Sequence, residues 1–241
     1  MGNDGAKTRI RLIPKANSPG SNGPFASQYA IQQAILSRGG CFDDIEITIG
    51  DGPEQGDESI LWCWYLMSRR HAIACERNKK PYIIGPNVLF YSERMPRIDN
   101  EEKLLCDSQY CLACVTECDR YADLIRKNCH GPLASRIVVA PCALPDSFLD
   151  SELSSQCNDD NGKAIVYVKH TKVPDSVFNV LDRKDVTVLH YGSFTRRELL
   201  DAARKASFCI YVSLEDRCPV AAAEIMATGC RVIGLRRCLP Y

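Results

Sequence analysis

Two acidic residues near the end of the chain, Asp216 and Glu224, have types and a spacing that suit the binding of a nucleotide. Asp216 belongs to the polar stretch Ser213–Arg217, whereas Glu224 follows within a run of Ala, Ile and Met. An unpaired carboxylate among apolar side chains is costly, so a polar partner such as a ribose diol is expected for Glu224. The alternative is that Asp216 only caps a helix and that Glu224 is incidental, and the chemistry alone favours neither interpretation.

The residues around the two carboxylates predict a strand, a loop, a helix and a second strand. Phe208–Val212 is a short apolar run rich in strand-forming residues, and Pro219 stands where the first helical residue should be. The helix continues over Val220–Ala227, Gly229 follows at the position that commonly ends a helix, and Arg231–Leu235 predicts the next strand. Such a unit is expected to have parallel strands and a right-handed crossover.

The start of the predicted helix is a candidate phosphate site. Asp216 or Cys218 lies near its cap, and the first free N–H groups fall around Cys218, Pro219, Val220 and Ala221. Unpaired donors and the positive end of the helix dipole coincide at such a position, which favours an anion. The sequence therefore predicts a nucleoside-diphosphate site at the carboxyl edge of a parallel sheet.

The stretch that carries both carboxylates, DRCPVAAAEIMATGCRVI, resembles the acidic-x7-Glu signature of retaining, nucleotide-sugar-dependent glycosyltransferases of the GT-B fold, the group 1 superfamily. The usual form in that family is E-x7-E followed by A-M-A-x-G-x-P-V. Asp216 takes the first acidic position here, or Glu215 if the register slips by one residue. Ile225 and Arg231 replace the usual Ala and Pro. The residues that match the signature are Glu224, Met226, Ala227, Gly229 and Val232.

The resemblance implies a role for each of these charged residues. Glu224 would hold the nucleotide ribose, and Asp216 would contact the donor sugar as the catalytic carboxylate. Lys169 or Lys172, in the loop after the first strand of the second domain, would bind the donor diphosphate, although a solvated loop lysine is nearly as good an interpretation. No metal and no cofactor would be needed, because the helix start and the lysine would neutralise the leaving diphosphate.

A glycine- and proline-rich loop, Asn17–Pro24, separates a predicted first strand at Arg9–Pro14 from a predicted helix at Gln28–Ser37. The loop has neither the GxGxxG nor the Walker A spacing, so it is not a dinucleotide fingerprint or a P-loop. The resemblance places the equivalent loop against the cleft, which makes Gly20 and Gly23 candidates for the acceptor side. An ordinary turn is the simpler interpretation of the same residues.

The alternation of strands and helices predicts an α/β protein with doubly wound parallel sheets. The resemblance implies a GT-B-like arrangement, in which two Rossmann-like domains face a cleft. We expect an acceptor-side domain over residues 1–150, a linker over 151–162 and a nucleotide-sugar-binding domain over 163–241, which is truncated relative to the family. The remaining predicted elements are Ile45–Ile49, Ile60–Trp64, Ser68–Arg77, Pro81–Ile84, Leu112–Thr116, Asp119–Lys127, Arg136–Ala140, Ala164–Val168, Val186–Tyr191 and Thr195–Ala206, the last opening with a Thr195-x-x-Glu198 capping box.

The amino-acid composition of the 241 residues limits the classes of molecule that the protein is expected to bind. The 30 basic and 30 acidic residues give a formal net charge of zero, without the basic excess typical of nucleic-acid binding. The N-terminus has no apolar signal region, and the longest aromatic–apolar run, Ile60–Met67, is too short to span a bilayer. We therefore expect a cytoplasmic protein without a transmembrane segment. Its expected partners are a nucleotide sugar and a hydroxyl acceptor, either a glycan or lipid-linked, so peripheral association with a membrane stays open.

The chain has 14 cysteines, and four of them form a cluster in the sequence. The first three members, Cys106, Cys111 and Cys114, have the spacing of a plant-type iron–sulfur ligand set, and Cys118 follows. The alternative is a strand over Leu112–Thr116 and a helix that starts near Cys118, which would point the thiols in different directions. We favour the alternative and expect free thiols without a metal. A disulfide scaffold is not expected without a secretory signal.

By resemblance, the expected function is transfer of a hexose from a nucleotide-diphosphate sugar to a hydroxyl acceptor in glycan biosynthesis. One alternative is an inactive nucleotide-sugar-binding fragment or partner subunit, and another is a flavodoxin-like binding protein. The sequence names no catalytic residue in the first domain, since the four histidines, His71, His130, His170 and His190, belong to no catalytic motif.

Overall fold

The computed structural model describes residues 7–13, 23–50, 59–86, 100–141, 144, 163–173, 175–180, 185–214, 216 and 219–235. The chain divides into two compact units. The first comprises Met1–Ser18 and Gln28–Pro141, and the second comprises Pro19–Ser27 and Cys142–Tyr241. The predicted linker, residues 151–162, lies outside the described residues, so the predicted domain boundaries stay predictions.

The first unit is built around a seven-stranded sheet in the order β2-β3-β1-β4-β5-β6-β7. All neighbouring strands are parallel apart from the pair β2 and β3, which is antiparallel. The strands are β1 Thr8–Ile13, β2 Cys41–Phe42, β3 Ile45–Ile49, β4 Ile60–Cys63, β5 Tyr82–Ile84, β6 Cys111–Thr116 and β7 Ile137–Val139. The helices before and between them are α1 Gly23–Ser37, α2 Tyr65–Arg77, α3 Asn100–Cys106 and α4 Asp119–Asn128, with a 3-10 helix at Pro132–Arg136.

Two clusters of buried side chains form the core of this unit. The smaller one packs Leu12 of β1 and Ile35 of α1 against Trp64, which directly follows β4. The larger one joins the central strands to α2, α3 and α4, and it includes Cys63, Ile73, Tyr82, Ile84, Leu105, Cys114, Ile125 and Leu133. The cysteines in it are buried and behave as small apolar side chains.

The second unit is built around a four-stranded parallel sheet in the order β11-β10-β8-β9. Its strands are β8 Ala164–Lys169, β9 Val186–His190, β10 Phe208–Ser213 and β11 Arg231–Gly234, and its helices are α5 Asp175–Val180, α6 Arg196–Arg204 and α7 Val220–Ala227. The chain moves from β8 to β9 on one side and then to β10 on the other side. The strand order therefore reverses between β8 and β10, and such a switch point is where open α/β sheets bind ligands.

Strand β8 is one of the two inner strands of this sheet, and its residues Ala164–Val168 are all buried. A nearly continuous apolar run is typical of a parallel strand covered on both faces. The ring of Tyr167 stacks on that of Tyr211 in β10, with centroids 4.8 Å apart and planes 11° apart. Leu199 of α6 and Ile225 of α7 belong to the same buried cluster.

The strands and helices expected around the carboxylates agree closely with the structure. The helix α7 spans Val220–Ala227 as predicted, and Gly229 follows it with φ of 87°, the left-handed conformation that glycine adopts readily. The capping box of α6 is also confirmed, since the Thr195 side chain accepts from the Glu198 N–H and the Glu198 carboxylate accepts from the Thr195 N–H.

The prediction for α1 was wrong at its start. The helix begins at Gly23 rather than Gln28, so Gly23 belongs to the helix and not to the preceding loop. Pro24 lies in the first turn of the helix. Proline is well tolerated there because the N–H groups of that turn have no helical partners, so a proline at this position does not exclude a helix. Among the described residues, no helix is both long and apolar enough to cross a membrane.

Candidate functional site

An ion pair lies at the carboxyl edge of the second sheet, at its switch point. Lys169 is the last residue of β8 and is in register with Ser213, the last residue of β10. The Lys169 Nζ lies 2.8 Å from both carboxylate oxygens of Asp216, which follows β10. The side chains are 13% and 3% exposed, so the pair is largely withdrawn from water. The fold thus brings together two of the predicted site residues.

A tyrosine completes the environment of Asp216. The hydroxyl of Tyr211, in β10, donates a hydrogen bond to Oδ2 of Asp216. Burial, together with the charge of Asp216, raises the pKa of Tyr211, so the hydroxyl keeps its proton and remains a donor. The Lys169 ammonium also lies over the ring of Tyr191, 5.2 Å from its centroid. Asp216 therefore has a positive partner and a neutral donor on the protein side.

Glu224 lies inside α7 and has a charged partner from a neighbouring helix. Its side chain is 7% exposed, and its Oε1 lies 2.9 Å from Nη2 of Arg196, the first residue of α6. Burial raises the pKa of Glu224 above its ordinary value, and the charge and hydrogen bond of Arg196 partly offset this increase. The polar partner expected for Glu224 is thus present in the protein itself.

The start of α7 differs in one respect from the prediction. Pro219 is the N-cap residue and makes no side-chain capping bond, so Asp216 does not occupy the N-cap position of this helix. Pro219 has no N–H and cannot donate to a phosphate, which corrects its predicted role. The N–H of Ala223 bonds to the Pro219 carbonyl at 3.1 Å, so the amides that precede the helical ladder are those of Val220, Ala221 and Ala222.

The remaining predicted site residues are placed as follows. Lys172 lies three residues beyond Lys169 and is exposed, and the ion pair with Asp216 is formed by Lys169. Gly23 is the first residue of α1, and its predicted acceptor role stays a prediction. Gly20, Glu215 and Cys218 lie outside the described residues.

Sequence reasoning missed two residues of this site, Arg196 and Tyr211. The strand alternation of β10 places Tyr211 on the buried set with Cys209 and Ser213, but it does not reveal that the hydroxyl meets Asp216. Arg196 follows the capping residue Thr195, a position that gives a cation no local advantage. That unfavourable position is the signal that could have singled it out.

The cysteine cluster is divided between different elements, as the favoured alternative expected. Cys106 ends α3, Cys111 and Cys114 lie in β6, and Cys118 is the N-cap of α4. All four are free thiols. Burial raises the pKa of Cys111 to about 12 and that of Cys114 well above its ordinary value, so both stay protonated near neutral pH. In the part of the chain that the structure describes, no group of three or more His, Cys, Asp or Glu residues could hold a metal ion.

Comparison with solved structures identifies the fold. The chain is similar to HepE from Anabaena, solved in complex with UDP and glucose, with a TM-score of 0.52 and 9% identity. The similarity covers 94% of this chain and 80% of the HepE chain. The predicted α/β fold, with a mostly parallel seven-stranded sheet and a second parallel sheet as in GT-B glycosyltransferases, is confirmed.

A second solved structure, a GtfA/B complex bound to UDP and GlcNAc, is similar over 74% of this chain and 43% of its own length. Its TM-score is 0.35, at 9% identity. No protein-family model matches the chain. No curated protein matches it either.

Proposed function

We propose that the chain is a glycosyltransferase that moves a hexose from a nucleotide-diphosphate sugar to a hydroxyl acceptor, with retention of configuration. The observation that carries the proposal is the pairing of Lys169 with Asp216 at the switch point, beside the start of α7 and with Glu224 further along that helix. A cation, two carboxylates and free helix amides are the groups that a diphosphate, a sugar and a ribose require.

Each group has a chemical role in the proposed reaction. Lys169 and the amides of Val220 and Ala221 bind the diphosphate and stabilise the charge that develops on it as the sugar leaves. Glu224 accepts hydrogen bonds from the ribose hydroxyls, and Asp216 contacts the donor sugar. The reaction needs neither a metal nor a cofactor, because the ammonium and the helix start supply the positive field.

The diphosphate has to compete with Asp216 for Lys169. The two partners are already at hydrogen-bonding distance, and neither is well solvated. A bound diphosphate would share the ammonium or draw it away, and this would free the carboxylate for the sugar. Donor binding would thereby bring Asp216 into use only when a substrate is present.

In this proposal the acceptor side lies within residues 1–150. Gly20 and Gly23 are the acceptor-side candidates, and the acceptor is a hydroxyl of a glycan or of a lipid-linked group. We infer a role in glycan biosynthesis in the cytoplasm, with peripheral contact with a membrane if the acceptor is lipid-linked. Lys172 is kept as a second contact for the diphosphate.

The experiment is a calorimetric titration of the purified chain with UDP, GDP and ADP, followed by incubation with the glucose conjugate of the base that binds. We expect saturable binding of one nucleotide and release of free nucleotide from its sugar conjugate. A chain that binds none of the three contradicts the proposal. Binding that is equal for the nucleotide and for free flavin mononucleotide would favour a flavodoxin-like binding protein instead.

A second candidate function is nucleotide-sugar binding without transfer, by a fragment or partner subunit. It is favoured by one observation, the 3% exposure of the Asp216 side chain, whose oxygens are bonded to Lys169 and Tyr211. A carboxylate that stays in these bonds cannot serve a donor sugar. Tight nucleotide binding with no release of nucleotide from any sugar conjugate, with or without simple glucoside acceptors, is the result that would select it.

A further inference from the structure

The contact between Arg196 and Glu224 joins two helices that are remote in the sequence. Arg196 opens α6, Glu224 lies within α7, and the two helices pack against each other. The Nη2–Oε1 distance is 2.9 Å, that of a charge-assisted hydrogen bond. The arginine side chain is 43% exposed and the glutamate side chain 7%, so the ion pair reaches from solvent to a buried carboxylate.

The position of Arg196 is unfavourable for its own helix. The N-terminal end of a helix carries the positive end of the dipole, where acidic residues are stabilising and cations are not. The capping box of α6 is made by Thr195 and Glu198 and uses neither Arg196 nor Arg197. The ion pair of Arg196 with Glu224 instead connects α6 to α7.

We propose that Arg196 is a positioning residue of the nucleotide site, which fixes the Glu224 carboxylate in the orientation that receives the ribose hydroxyls. This inference rests on the proposed function, because it assigns Glu224 to the ribose. Without the guanidinium, the carboxylate would be free to rotate within α7 and would sit in an apolar environment. Because the Arg196 side chain is 43% exposed, it can hold the carboxylate and still leave the solvent side of the site open.

The charge environment of Glu224 shows why Arg196 also matters for ionisation. Arg196 from α6 is the charged group that acts on Glu224 among the described residues. The pKa of Tyr167 in β8 is raised chiefly by burial and then by the charges of Asp216 and Tyr191. The charge of Glu224 makes a smaller contribution in the same direction. Strand β11 also packs against α7, and its described residues do not act on Glu224. Removing Arg196 would leave burial unopposed and the carboxylate more often protonated.

The test uses Arg196→Met and Arg196→Lys in the full chain, with Arg197→Met as the matched control. Arg197 is the next residue, is 91% exposed and pairs only loosely with Asp201 at 3.7 Å. UDP, or whichever of UDP, GDP and ADP the wild type binds, is titrated at about pH 6 and about pH 8, and melting temperatures are recorded in parallel. We expect Arg196→Met to weaken binding about tenfold or more at the lower pH and less at the higher pH.

Two further results are expected. Arg196→Lys recovers part of the affinity and moves the pH profile back towards that of the wild type, whereas Arg197→Met stays within about twofold of the wild type. In the neutral Glu224→Gln background, adding Arg196→Met changes neither the affinity nor its pH dependence. A purely structural role would lower the melting temperature of Arg196→Met without moving the pH profile of binding, and this outcome overturns the inference.

The outcomes separate this inference from the function on which it rests. If Glu224→Gln loses affinity and Arg196→Met binds like the wild type at both pH values, the inference is wrong and the proposed function stands. If the wild type binds none of the three nucleotides, both are wrong.

Discussion

Lys169 and Asp216 form a bidentate ion pair across the point where the strand order of the second sheet reverses, with Nζ 2.8 Å from each carboxylate oxygen. The two residues are 47 positions apart in the sequence. Lys169 is the last residue of β8, and Asp216 lies in the loop after β10. The pair therefore ties together the two neighbouring strands whose carboxyl ends would flank a bound ligand.

The first prediction concerns the stability that depends on this pair. Lys169→Met removes the cation and leaves a buried carboxylate whose remaining partner, among the described residues, is the Tyr211 hydroxyl. Breaking one side of a buried ion pair typically costs about 3–5 kcal/mol, so we expect a loss of about 3 kcal/mol in the free energy of unfolding. Urea denaturation at neutral pH measures it.

The controls for that prediction come from the same loop and from the partner residue. Lys172→Met changes an exposed lysine and should alter the free energy of unfolding by less than about 0.5 kcal/mol. The double variant Lys169→Met/Asp216→Leu removes both charges and should recover much of the lost stability. Equal effects of the two single lysine variants would contradict a dominant role for the ion pair.

A second prediction concerns the hydroxyl of Tyr211. Tyr211→Phe keeps the ring that stacks on Tyr167 and removes the donor to Asp216. Hydrogen bonds to charged groups contribute about 1.5–3 kcal/mol, and we expect a destabilisation at the lower end of that range because Lys169 still holds the carboxylate. Tyr191→Phe, which keeps the ring beneath Lys169, is the comparison and should have a smaller effect. A larger loss of unfolding free energy in urea for Tyr191→Phe than for Tyr211→Phe would contradict the importance of the hydrogen bond between Tyr211 and Asp216.

The third prediction is a pH dependence of stability that comes from Glu224. Its pKa is raised in the folded protein by burial, so the folded state holds the proton more tightly than the unfolded state does. Stability from this group is therefore fully present below the ordinary value of 4.5 and falls as the pH rises through the folded pKa. The free energy of unfolding of the wild type minus that of Glu224→Gln should decrease over this window. A difference that increases with pH would contradict the raised pKa.

The fourth prediction concerns the cysteines. Burial raises the pKa of Cys111 to about 12 and that of Cys209 also to about 12, so thiolate is scarce at both in the folded protein. Iodoacetamide at about pH 8 should modify the exposed Cys41 and leave Cys111 and Cys209 unmodified until urea is added, as read by peptide mass spectrometry. Stoichiometric iron or zinc that is lost on Cys111→Ser would overturn the interpretation of free thiols.

Local signals explain why the unit around β10 and α7 could be predicted from sequence. The strand, the proline at the helix start and the glycine after its end each act within a few residues, and the structure has the helix bounds as predicted. The capping box of α6 is also a local signal, since Thr195 and Glu198 are three positions apart, although the helix ends at Arg204 rather than at the predicted Ala206. Short-range patterns of this kind depend little on the rest of the fold.

The features that escaped prediction depend on longer-range or conformational information. Strand β2 forms an antiparallel pair with β3 through a two-residue turn in which Asp43 has a positive φ, and no apolar alternation marks so short a strand. Helix α3 has only Leu105 and Cys106 buried, so its periodic signal is weak.

The partners of the two carboxylates are a further case. Sequence patterns indicated that Asp216 and Glu224 require polar partners, but the partners Lys169 and Arg196 come from other strands and helices. The sequence does not distinguish Lys169 from Lys172, whereas the register of β8 with β10 places Lys169 beside Asp216. The contact of Arg196 with Glu224 arises from the tertiary packing of α6 on α7, which no local pattern in the sequence reveals.

The affinity of Glu224→Ala for UDP, GDP and ADP tests the proposed nucleotide site of the second unit, in which Glu224 binds the ribose. We predict a loss of about tenfold to a hundredfold for the nucleotide that the wild type binds, from the loss of a charge-assisted hydrogen bond worth about 1.5–3 kcal/mol. Glu101→Ala, which changes an exposed glutamate of the first unit, should leave the affinity unchanged. A Glu224→Ala protein that melts at a lower temperature but binds every nucleotide like the wild type would contradict the claim.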